Sequence, residues 1–147
     1  MNLSIGTHVS EHGYRIGQLS GVEVDRVSHV VQHILVRGTD ESAPSERRAF
    51  AAVPKDHFTG DIALLTHPSE SSGGAADPLT LTSTTRVVQG ERVLGWLSGL
   101  EINPASGTIV AITARQHWWN RSFHARGSEL DFSPLGEIRV VRVPSAA

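Results

Sequence analysis

Gly17-Gln-Leu-Ser-Gly-Val-Glu-Val-Asp-Arg-Val-Ser-His-Val-Val-Gln-His-Ile-Leu-Val-Arg37 aligns without gaps on Gly95-Trp-Leu-Ser-Gly-Leu-Glu-Ile-Asn-Pro-Ala-Ser-Gly-Thr-Ile-Val-Ala-Ile-Thr-Ala-Arg115. Eight of the 21 positions are identical, where average residue usage predicts about one or two. Most of the rest are conservative, such as Val22/Leu100, Val24/Ile102 and Asp25/Asn103. Self-similarity of this kind marks two copies of one structural unit. Looser matches follow: Arg48-Ala-Phe50 resembles Arg121-Ser-Phe123, and Phe58 with Gly60-Asp-Ile62 resembles Phe132 with Gly136-Glu-Ile138. The units are placed at residues 1–67 and 79–147. The stretch between them, 68–78, is small, polar and rich in Gly and Pro, which is linker composition.

Strand signals dominate, and no window carries a helical period. Leu19 is out of phase with Val22 and Val24, and Leu97 with Leu100 and Ile102. Both slips fall on a Ser-Gly pair, which predicts a β-bulge that bends the strand toward closure. Asn103-Pro-Ala-Ser-Gly107 is a turn with Pro preset for its first corner and Gly free to take positive φ. Asp25 to His29 fills the same slot with poorer turn residues. In the strands that follow, Val30, Ile34 and Val36 are expected in the core, as are Val110, Ile112 and Ala114. A unit of about 65 residues buries too little apolar surface to stand alone. The two units are therefore expected to pack as a pseudo-two-fold pair, to exchange strands, or to assemble with other chains.

The pattern now assembled is Gly13-Tyr-Arg-Ile-Gly17 read as a turn, a strand ending in Glu23-Val24-Asp25, and a Val/Ile-rich strand. It closes with Ala52-Val-Pro-Lys-Asp-His-Phe58 and a final apolar strand, 62–65. This resembles the PRC-barrel family, and the second unit resembles it through Gly90-Glu-Arg-Val-Leu-Gly95 and the strands after it. The second unit departs by one extra residue between its glycines and by Gly127 near the place of Pro54. The resemblance implies an all-β protein of two tandem small antiparallel barrels, used as adaptors for protein contacts, with no catalytic residues to carry over.

Composition narrows the chemistry. The chain has 147 residues, no cysteine and a formal net charge of -2. Disulfides, thiolate catalysis and Cys-ligated zinc are excluded. The acidic balance argues against non-specific nucleic-acid binding, which needs a basic surface. The N-terminal residues do not read as a signal peptide, so the cytoplasm is the expected location. Eight histidines (His8, His12, His29, His33, His57, His67, His117 and His124) are the obvious metal candidates. His29 and His33 on one strand would lie about 13 Å apart, too far to share an ion. His8 and His12 straddle an expected turn and come closer. No helix-borne ligand pair, nucleophile elbow or phosphate loop is present, and no cofactor is expected.

One segment differs from its surroundings: Arg115-Gln-His-Trp-Trp-Asn-Arg-Ser-Phe-His-Ala-Arg126, with no acid between Glu101 and Glu129. Adjacent Trp118 and Trp119 face opposite ways in an extended chain, so a single core takes only one. Trp118, Trp119, Arg121, Arg126, Arg115 and His117 are the candidate partner-binding residues, since Trp and Arg anchor protein interfaces. The expected function is a non-catalytic binding or assembly module that acts through protein contacts and self-association as a homo-oligomer. The rivals are an RNA- or ribosome-associated factor and a small His-dependent metal protein or enzyme.

Overall fold

The computed structural model describes residues 1–26, 28–38, 44–54, 60–65, 78–116, 122–126, 130–132 and 137–140. The chain is all-β, as the sequence predicts. The first half carries β1 (Asn2–Ser4), β2 (His8–Glu11), β3 (Tyr14–Asp25), β4 (Val31–Arg37), β5 (Glu46–Ala49), a 3-10 turn at Phe50–Ala52, and β6 (Ile62–Leu64). The second carries β7 (Pro78–Thr82), β8 (Arg86–Gln89), β9 (Arg92–Ile102), β10 (Ile109–Arg115), β11 (Ser122–Arg126), β12 (Leu130–Phe132) and β13 (Ile138–Val140). Apart from Pro78, which opens β7, the expected linker lies outside the described residues.

The strands form two sheets, ordered β5-β4-β3-β2-β6 and β11-β10-β9-β8-β13-β12. Each sheet also takes the leading strand of the other half: β7 pairs with β3, and β1 pairs with β9. Leu81 lies opposite Val22, and Leu3 opposite Leu100. These positions are related by the same offset that aligns Gly17 with Gly95, so the exchange is reciprocal about a pseudo-two-fold. The axis passes between Val30 and Thr108, which form an antiparallel bridge. Beside it Val31 N donates to Gly107 O (2.8 Å) and Ile109 N donates to His29 O (3.2 Å). Leu3, Leu81, Val22, Leu100, Ile34 and Ile112 belong to a single buried cluster drawn from both halves. The small-core problem is thus met inside one chain.

Both predicted bulges are present. Leu19 faces Val36 while Gly21 faces Leu35, which leaves Ser20 as the extra residue. Leu97 and Gly99 likewise leave Ser98. Each extra residue satisfies a carbonyl across the bulge: Ser20 Oγ donates to Leu35 O (3.1 Å) and Ser98 Oγ to Thr113 O (3.0 Å). Two more bulge pairs were not foreseen, at Ile16 and Leu94 and at Gln32 and Val110. The second pair overturns two expected core positions. It shifts the phase so that Val31 and Ile109 are buried, leaving Val30 half-buried and Val110 exposed, while Ile34, Val36, Ile112 and Ala114 are core as expected.

Other expectations need correction. Among the described residues neither sheet closes into a barrel by a strand ladder. In the first sheet the two sides are drawn together by Leu65 N donating to Ala52 O (2.8 Å) and by Arg48 gripping both carboxylate oxygens of Glu11 (2.7 and 3.2 Å). Nor is pairing purely antiparallel: β2/β6 and β8/β13 are parallel, because long connections rather than hairpins join them. Those ladders confirm the Ile62/Ile138 match, since Ile62 faces Val9 and Ile138 faces Val87. The Arg48/Arg121 match fails, because Arg48 faces Ile34 where Ala125 faces Ile112.

The glycine spacing also reads differently in three dimensions. The first turn is His12-Gly13, both at positive φ, and the second is Gly90-Glu91, positive at Gly90 alone. These are the φ demands of two different two-residue hairpin turns, so no residue has been inserted. Gly17 and Gly95 lie in strands, where a Cβ would strike the carbonyl oxygens of Arg37 and Arg115. The Pro54/Gly127 comparison lies outside the described residues at Gly127.

Two predictions follow from the exchange. Leu81→Ala, in the second half of the sequence, should cost about 2–5 kcal/mol and lower one shared melting transition. Calorimetry that resolved two transitions, one unaffected, would contradict the shared core. At Gly21 a Cβ would overlap Leu81 O, whereas at Gly99 the nearest atom, Leu3 O, is 3.2 Å away. Gly21→Ala should therefore cost about 1–3 kcal/mol and Gly99→Ala clearly less, as read from urea denaturation of the two variants.

Candidate functional site

Among the expected partner-binding residues, Arg115 ends β10 and is exposed. Arg126 ends β11, opposite Ala111. His117, Trp118, Trp119 and Arg121 lie outside the described residues. They fall between Arg115 and Ser122, which face each other across the β10/β11 ladder.

The ladder shows what sequence spacing hides. Trp96 on β9 lies directly opposite Arg115 on β10 and opposite Arg86 on β8. The neighbours Leu97, Ala114 and Val87 are buried in the core. By strand alternation Trp96, Arg115 and Arg86 therefore share the outer face of the sheet. Side chains directly opposite one another have Cβ atoms about 4.5–5.5 Å apart, so both arginine side chains start within reach of the indole. Both arginines are exposed and Trp96 is half-buried. Glu137, beside Arg86, forms an ion pair with it.

The first sheet has the same row with other residues. His8 faces Gln18, and Gln18 faces Arg37. By the repeat, His8 corresponds to Arg86, Gln18 to Trp96 and Arg37 to Arg115. Only the second copy presents an aromatic between two arginines. Neither Trp96 nor Arg86 stood out in the sequence, because they come from separate strands. The Gln18/Trp96 mismatch inside an otherwise matched repeat was the available signal.

A second polar cluster lies on the outer face of the first sheet. Glu23 is 4% exposed and is held by Arg47, whose Nη2 donates to Oε2 at 3.0 Å and whose Nε contacts Oε1. His33 Nδ1 is 3.8 Å from Oε1. In the second copy Glu101 faces Ala111 instead of a histidine. The arrangement neutralises a buried carboxylate on a sheet face, with the hydrogen bond at Oε2 and an ion-pair contact at Oε1, and no nucleophile completes it among the residues named here.

The histidines are placed differently from expectation. His29 lies in the Asp25 to His29 turn at φ 59, not in a strand. Gly107 holds the same left-handed conformation (φ 76) in the second copy. His12 sits in the β2/β3 turn, so the length of β2 separates it from His8. His57, His67 and His117 lie outside the described residues, and of His124 only the backbone is described. Among the described residues no three His, Cys, Asp or Glu side chains gather as a metal site would require.

No protein-family model matches the chain, and no curated protein matches it at a significant level.

Because Glu23 is buried, its partner counts for more than an exposed arginine usually does. Arg47→Ala should cost about 1–3 kcal/mol, the cost of an unsatisfied buried acceptor. Adding Glu23→Leu should recover much of it. A double-mutant cycle in urea that shows no coupling between the two would refute this account.

Proposed function

We propose that this chain is a non-catalytic binding or assembly module that acts in the cytoplasm through protein contacts and self-association. The observation that carries the reading is the Arg86–Trp96–Arg115 row on an outer sheet face. Trp and Arg are the residues most enriched among interface anchors, and this row leads directly into the segment with Trp118, Trp119 and Arg121. The resemblance to PRC barrels points the same way, and it rests on the quoted residues alone. No described helix is long and apolar enough to cross a membrane.

Self-association is proposed through the second sheet's edge strand β11, which follows the Arg/Trp segment in the sequence. Sedimentation equilibrium at micromolar concentration should report a mass above the 15.8 kDa of one chain. Truncating the more exposed of Trp118 and Trp119 to Ala should weaken association by about 2 kcal/mol or more, as anchor residues do, with the fold intact. A monomer at every concentration would overturn self-association. A sharp loss of stability in both variants would make the tryptophans core residues instead.

A further inference from the structure

We infer that the outer face of the second sheet binds an acidic, proline-rich peptide segment, with Trp96 under its prolines and Arg86 and Arg115 on its carboxylates. The inference rests on the protein-binding reading and names the partner's chemistry. Three observations carry it. Arg86 and Arg115 flank Trp96 on the two adjacent strands, and neighbouring strands are about 4.8 Å apart. The two guanidinium-bearing positions are therefore separated by about 9.6 Å.

A polyproline II segment rises about 3.1 Å per residue with three residues per turn. Its side chains at i and i+3 therefore share one side at about 9.3 Å, matching the arginine separation. Aromatic surfaces are the usual receptors for such segments, whose preformed conformation reduces the ordering cost. Arginine's planar fork takes a carboxylate through two parallel hydrogen bonds. Arg86 already contacts Glu137 through one Nη, and a guanidinium has donors beyond that contact. The third observation is the internal control: the first sheet offers His8, Gln18 and Arg37 in the same row, a frame with the aromatic and one arginine replaced.

The test uses a fluorescently labelled peptide of four Glu-Pro-Pro triplets, read by anisotropy on the full chain. It should bind, and Lys-Pro-Pro triplets should not. Trp96→Gln, which installs the first copy's residue, should weaken binding at least tenfold, and Arg115→Gln several-fold, with melting temperatures close to the parent. Should Trp96→Gln fail to fold, the exposed Arg115→Gln carries the test. His8→Arg with Gln18→Trp should build a second site and raise the stoichiometry from one to two. Absence of binding, binding unchanged in Trp96→Gln, or equal binding of the Lys peptide would overturn the inference. So would polyuridine that binds more tightly in a Trp96-dependent way. A monomer that binds the peptide removes self-association alone, whereas an oligomer that ignores it removes this inference alone.

Discussion

The structure depends on the reciprocal pairing of β1 with β9 and β7 with β3. The first inserts Leu3, and the second Leu79 and Leu81, into the core of the sheet belonging to the other half. The geometry is that of a symmetric dimer interface, in which one surface meets its own copy, carried within a single chain. The two-fold is obeyed at hydrogen-bond level, with His29 and Gly107 serving equivalent roles as acceptors near the axis.

Close approach of the exchanged strand explains why Ser-Gly recurs in both copies. Serine supplies the extra residue of the bulge and a hydroxyl for the opposing carbonyl, and glycine leaves room for the arriving backbone. Three bulge pairs give each sheet its curl. That curl brings Arg48 on β5 to Glu11 on β2, although β4 and β3 intervene in the sheet. A curled sheet with nearly meeting edges is what a barrel-like sequence pattern yields when, among the described residues, no strand completes the ladder.

The all-β class, the repeat and the paired bulges were legible because each leaves a local mark: alternation, identity, and a phase slip at Leu19 and Leu97. The core positions Val30 and Val110 misled because the Gln32 and Val110 bulges carry no glycine to announce them. Turn type hid behind glycine spacing at Gly13 and Gly90, where one position of displacement signals a different turn. The Arg86–Trp96–Arg115 row was invisible because register, which no single segment contains, brings it together. Arg115 was found from its segment's composition, but Trp96 needed the ladder.

The strand exchange also sets an order of events during synthesis. Residues 2–4 are made long before their partners at 99–101. The first half emerges with the groove beside Val22 unfilled until residues 78–82 follow. At roughly 5–20 residues per second, that groove waits for seconds. In that interval the nascent β3 edge can accept the leading strand of a neighbouring copy as readily as its own. Crowded polysomes should therefore be where intertwined dimers of this chain arise, and sparse, rapidly elongating ribosomes should favour the self-contained fold.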